Sequence, residues 1–123
     1  MLTKEQLTNS KKYIKALRSG KYEQTRSELK REDNCFCALG LALEVFRQET
    51  GKGTWVNDDL HRFSLDGVRS AFIATDYPQV REFFGFEDIG VGWKHGDADL
   101  LELNGYVSFP VLAEMLETEL NIW

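Results

Sequence analysis

Histidine, cysteine, proline and methionine each occur only twice in this 123-residue chain. Each scarcity excludes something. Cys35 and Cys37 are separated by one residue, too close for a routine structural disulfide. His61 and His95 stand far apart, so no H-x₃₋₅-H pair completes a zinc site with the thiols. No apolar run approaches the roughly 20 residues that span a bilayer. The start, "MLTKEQLTNSKKYIK", lacks the apolar centre of a secretion signal, and a cytoplasmic location is the expectation. Past Arg31 no basic stripe with interleaved aromatics remains, which disfavours nucleic acid as the main partner.

What is present describes a globular chain. Hydrophobic residues make up 42% and charged ones 28%, the balance of a packed domain. One domain over residues 1–123 is expected, long enough to bury a core without metal or disulfide staples. Charge is unevenly spread. Residues 1–33 hold nine Lys/Arg against five Asp/Glu, residues 34–75 four against five, and residues 76–123 two against ten. Two consequences compete. The basic start packs beside the acidic end and partly neutralises it, or the acidic end forms a face for basic protein surfaces.

Thr3 and Gln6 form a capping box ahead of a helix over residues 4–19. Leu7, Tyr13, Ile14, Ala16 and Leu17 supply its buried side, and Gly20 stops it. Lys4, Lys11, Lys12, Lys15 and Arg18 lie on the other face. Tyr22 should anchor in the core, "SELK" (27–30) fits a short extended segment, and "EDN" (32–34) a turn. The run from Phe36 to Phe46 is rich in Leu and Ala and reads as a helix buried on most sides, capped by Asn34 and ended by "TGKG" (50–53). A short strand is expected around Trp55 and Val56. "SLDGVRSAFIATD" (64–76) is ambiguous, with Val68, Ala71 and Phe72 along one helical face and Gly67 weakening it. "TDYPQVREFFGF" (75–86) is a helix capped by Thr75 or Asp76, with Pro78 in its first turn and Gly85 at its end. Glycines at 90, 92, 96 and 105 make residues 87–105 a loop or hairpin. Gly90-x-Gly92 is no phosphate cradle, because the third glycine and the strand–helix frame are missing. A last helix covers 108–120, capped by Ser108. Leu112, Met115, Leu116 and Leu120 face inward, and Glu114, Glu117 and Glu119 face water. The fold class is therefore α+β: a mostly helical single domain with four or five helices and a small β-hairpin or sheet from residues near 53–57 and 89–104.

Two cysteines two positions apart on a helix point about 200° away from each other and cannot share a metal. Free cysteine is also a common core residue. Cys35 and Cys37 are read as filler, with a Cys37 nucleophile paired to His61 or His95 as the rival.

Several blocks occur in a fixed order: "YIKALRSGKYEQTRSELK" (13–30), "CFCALGLALEVF" (35–46), Trp55, "YPQVREFFGF" (77–86) and "LLELNGYVSFPVLAEMLE" (100–117). In these the chain resembles a family of small uncharacterised phage and bacterial proteins. Its pattern runs A-L-R-S-G-x-Y-x-Q, F-C-C-L-G and L-N-D-x-G-x-S-F-x-x-I-A. The resemblance implies a shared fold and carries no activity. Ala38 replaces the second cysteine of C-C-L-G, Tyr13 replaces a tryptophan, and the L-N-D-x-G block is one residue shorter. Matching residues such as Gly20, Gly40, Gly85 and Ser108 serve as stops, close packing and caps.

Two functions remain. One is a non-enzymatic accessory protein, encoded by a phage or mobile element, that modulates a host or phage protein with a basic surface. Trp93, His95, Asp97, Asp99 and Tyr106 are its expected contact residues, with Trp123 nearby. No cofactor, metal or membrane enters this reading. The other is a small hydrolase using His95 with Asp97 or Asp99, or Cys37. A metal set of Asp58, Asp59, His61, His95 and Asp97 would need two loops to meet.

Overall fold

The computed structural model describes residues 3–25, 29–32, 34–56, 61–70, 77–85, 104–105 and 107–120. Helix α1 spans Lys4–Arg18 behind the expected capping box: the Gln6 N–H donates to the Thr3 hydroxyl, and the Thr3 N–H to the Gln6 side chain. Its inner face buries Tyr13, Ile14 and Leu17. Strands β1 (Glu23–Gln24), β2 (Lys30–Glu32) and β3 (Cys35–Phe36) follow, in the order β1-β3-β2. The first pair is parallel and the second antiparallel, with an irregularity between Lys30 and Glu32.

Helix α2, Ala38–Thr50, is the centre of the molecule, and every residue from Ala38 to Phe46 is buried. Each large apolar side chain so enclosed stabilises the fold by about 1.5–3 kcal/mol. The helix begins later than the sequence suggests. Its cap is Cys37, whose sulfur accepts the Gly40 N–H. Asn34 instead occupies a left-handed turn at φ 62°, a conformation that Asn tolerates better than most residues.

Strands β4 (Thr54–Trp55), β5 (Phe63–Leu65) and β6 (Val68–Ser70) make a second, antiparallel sheet in sequence order. The helical face drawn through Val68, Ala71 and Phe72 does not form at Val68, which is in β6. Asp66 and Gly67 both take positive φ, 52° and 83°, the geometry of a tight hairpin turn. The strand near 53–57 exists and pairs with β5. The 89–104 partner expected for it lies outside the described residues, except Asn104. Helix α3 spans Pro78–Phe84 and buries Val80 and Phe84. Its expected caps, Thr75 and Asp76, lie outside the described residues. Helix α4 spans Phe109–Leu120, with Leu112, Ala113 and Leu116 buried.

The molecule is thus α+β, with four helices and two small three-stranded sheets among the described residues. Helix α1 lies against α2, α3 and α4. The basic first helix and the acidic last one do pack together. Arg18 pairs with Glu117, which is only 5% exposed. Glu117 therefore does not face water as its place in the sequence suggests: it turns inward to meet the guanidinium, whereas Glu114 is exposed. Among the described residues no helix is long and apolar enough to cross a membrane.

Candidate functional site

Two clusters of polar side chains gather along α2, one at its N-terminal end and one at its middle. At the N-terminal end, Asn104 is 3% exposed. Its Oδ1 accepts the Ala38 N–H at 2.9 Å and the Gln24 amide at 3.0 Å, and its Nδ2 donates to the Thr25 carbonyl at 3.1 Å. Gln24 also donates to the Val107 carbonyl at 2.9 Å. The Tyr13 hydroxyl donates to the Ala38 carbonyl at 2.7 Å. Three sequence blocks, around Gln24, Ala38 and Asn104, thus meet in one knot. Gly40 completes it: a Cβ there would lie 1.7 Å from the Leu29 carbonyl oxygen. That oxygen accepts the Cys37 N–H at 3.3 Å.

Cys35 and Cys37 are both buried and free. The core reading holds, although its geometry differs: Cys35 is in β3 and Cys37 caps α2, so they do not share a helix. Burial pushes the Cys37 thiol up to about 11, against the smaller opposing effect of the backbone N–H groups around it. The sulfur is therefore protonated near neutral pH and is no ready nucleophile. His61, one rival partner, is half-buried with φ 48°. Among the described residues no group of three or more His, Cys, Asp or Glu side chains could hold a metal ion.

Further along α2, an acid interrupts the buried apolar face. Glu44 is 7% exposed. Its Oε1 accepts from Arg47 Nε at 2.7 Å and from the Trp55 indole at 2.9 Å. Its Oε2 accepts from Arg47 Nη2 and from Gln48, both at 2.8 Å. Four donors fill the acceptor sites of one carboxylate. Burial works to raise its pKa, but the hydrogen bonds from Arg47, Gln48 and Trp55 outweigh that and hold it below the ordinary glutamate range. Glu44 is thus ionised, and its charge is spent on fixing its neighbours.

Glu44, Arg47 and Trp55 line a cleft of about 540 Å³, within the range of small-molecule sites. Trp55 forms one wall, wedged between Phe36 at 5.7 Å and Phe63 at 4.9 Å, centroid to centroid. Lys30 reaches across from β2, its ammonium 5.5 Å from the Trp55 ring and 5.8 Å from Phe36. Such placements favour a cation over the ring faces. Arg47, Thr54 and the exposed Asn34 complete the rim. A second cleft, about 420 Å³, lies between α1, α2 and α3 beside Gln6, Asn9 and Glu82. There Gln6 and Asn9 donate to the Glu82 and Phe83 carbonyls, so those amides hold α3 in place.

The expected contact residues Trp93, His95, Asp97, Asp99 and Tyr106 lie outside the described residues, as do Asp58, Asp59 and Trp123. The Glu44 cluster was not anticipated. Its signal is a lone acid inside an apolar helical run, with Arg three and Gln four positions later. Both fall on the same helix face as the acid.

Residues 6–120 match the family described as Domain of unknown function (DUF8296), and the chain belongs to that family. No curated protein and no solved structure matches the chain.

Proposed function

We propose that this chain is a non-enzymatic binding protein, an accessory factor of a phage or mobile element. It acts in the host cytoplasm on a protein with a basic surface, through acidic and aromatic residues of its C-terminal part. The observation that carries the reading is the state of the polar groups in the interior. Cys37 is a neutral, capping thiol, and the Glu44 carboxylate already accepts four hydrogen bonds. Groups so engaged hold a scaffold and are poor bases or nucleophiles. The charge of the chain agrees. Residues 76–123 carry ten acids and two bases, and Arg18 engages one of those acids, Glu117. Acidic residues close in sequence to Trp93 and Tyr106 suit a partner rich in Lys and Arg, whose encounter they would accelerate.

The test is affinity capture from host lysate, followed by binding measurements with the purified partner at two salt concentrations. A stoichiometric complex that weakens with salt is expected. It should be lost when Trp93→Ala is combined with Asp97→Lys and Asp99→Lys in a chain with unchanged thermal stability. A partner held equally well by that variant refutes the assignment of the surface. A purified chain that turns over a substrate refutes the non-enzymatic reading.

A further inference from the structure

We propose that the cleft between α1, α2 and α3 is a binding site for a small aromatic molecule that presents an N–H donor, a neutral amide or a cationic amidine, recognised by the Asn9 side chain beside the Phe46–Phe83 pair. This goes beyond the protein-binding reading and does not depend on it.

Asn9 sets the requirement. It is only 7% exposed, so both ends of its amide call for a partner. Its Nδ2 donates to the Phe83 carbonyl at 2.9 Å. Its Oδ1 accepts no hydrogen bond among the described residues, and the side chain lines the cleft of about 420 Å³. An acceptor buried without a donor is costly. Polar neighbours on the same cleft are already engaged. Gln6 uses both ends of its amide, accepting the Thr3 N–H and donating to the Glu82 carbonyl. The Thr3 hydroxyl accepts the Gln6 N–H. The Thr50 hydroxyl donates to the Phe46 carbonyl and accepts the Lys52 N–H. Nor does fastening α3 demand an amide: one position on, the Ser10 hydroxyl donates to the Phe84 carbonyl at 3.1 Å. The spare oxygen of Asn9 is left over from that duty and suits a donor that enters the cleft.

The walls supply the aromatic part. Phe46 and Phe83 both line the cleft, their ring centroids 5.3 Å apart and their planes at 90°. A perpendicular pair sets a ring face beside a ring edge, and a third planar ring packs well against either. The volume lies within the range of small-molecule sites. The carboxylates of Glu5 and Glu82 border the same cleft and make no hydrogen bond or ion pair among the described residues. Both residues are exposed, and they offer further acceptors to an amidine, which has donors on two nitrogens. Lys52 lines the cleft as well, so recognition is by hydrogen-bond pattern and ring contact, not by net charge.

The test is a titration of the full chain, read on the assigned backbone amide resonances of Asn9, Phe46 and Phe83. Three probes are used: benzamide, benzamidine and benzonitrile. Saturable shifts at these residues are expected for benzamide, benzamidine or both, and the tighter of the two distinguishes a neutral head group from a cationic one. Benzonitrile has a similar shape and no N–H, and should bind about tenfold more weakly. That comparison needs only the wild-type chain, so it holds even where an Asn9 variant fails to fold. A folded Asn9→Ala variant should lose binding by a similar factor. Benzonitrile binding as tightly as the donors, shifts that stay linear for both donors, or wild-type affinity in folded Asn9→Ala each overturn the proposal.

Discussion

The N-terminal end and the middle of α2 each gather a cluster of side-chain hydrogen bonds and use them differently. At the N-terminal end, Asn104, Gln24 and Tyr13 point their polar atoms at backbone groups of neighbouring chain segments. Tyr13 and Asn104 are buried there, and Gln24 is half-buried. A buried backbone N–H or carbonyl without a partner costs about 1–3 kcal/mol, so these side chains repair the interruptions that loops impose on a core. Around Glu44 the donors are side chains, the acceptor is a charge, and the cluster opens on a cleft. Backbone repair accounts for the Asn104 bonds to Ala38 and Thr25. It explains none of the Glu44 cluster, because Arg47, Gln48 and the Trp55 indole could all have been left to water.

The comparison is most easily broken at the closed end, by Gly40→Ala. The added methyl would lie 1.7 Å from the Leu29 carbonyl oxygen, and neither a helix in the core nor the buried backbone leading into β2 can yield that distance cheaply. We expect a loss of about 4 kcal/mol, a large share of the stability of a small domain. Chemical denaturation measures it. A variant with the wild-type midpoint would mean that the Leu29 backbone, just before β2, does not press on α2.

Asn104→Ala is the next largest. It strips partners from the Ala38 N–H, the Thr25 carbonyl and the Gln24 amide together. A destabilisation of about 2–3 kcal/mol is expected. Asn104→Asp separates the hydrogen-bond pattern from size. It keeps the acceptor for Ala38 but sets a carboxylate oxygen against the Thr25 carbonyl, so it should be no better than alanine. If aspartate restores stability, the amide donor is not what holds the knot.

These positions show what the sequence can and cannot disclose. Helix α1 was legible because its capping box and its stripe of Tyr13, Ile14 and Leu17 are local signals. The burial of α2 was legible from its apolar run, and the core role of the thiols from their type. The start of α2 was not, since a cysteine cap is rarer than an asparagine one, and Asn34 served the turn before it. The β5–β6 hairpin was hidden by an apparent helical face, although Asp66-Gly67 is the stronger signal. Glu117 misled because a row of glutamates looks solvated until a partner such as Arg18 is placed beside it. The Gln24–Asn104 knot joins residues 80 apart in sequence, and nothing local encodes that meeting. The same holds for Trp55 and Glu44.

The smallest effect sharpens the comparison most, because it separates a charged cluster from a neutral one. Glu44→Gln replaces one acceptor oxygen with an amide, leaving part of the Arg47, Gln48 and Trp55 set without a partner. The cost at neutral pH should be about 1–2 kcal/mol. Solvent screening limits it, since the Arg47 side chain is 38% exposed. The pH dependence is the sharper readout. The folded-state pKa of Glu44 lies below its unfolded value, so between the two the unfolded chain binds more protons and stability rises with pH. The contribution is present above the ordinary glutamate value, about 4.3, and fades as pH falls through the depressed folded value. Wild type and Glu44→Gln should therefore differ at pH 7 and converge in acid, whereas the Asn104→Ala deficit, which involves no titrating group, stays constant across the same range. A Glu44→Gln deficit that is equally flat would mean that the Glu44 cluster, like the Asn104 knot, acts as neutral repair.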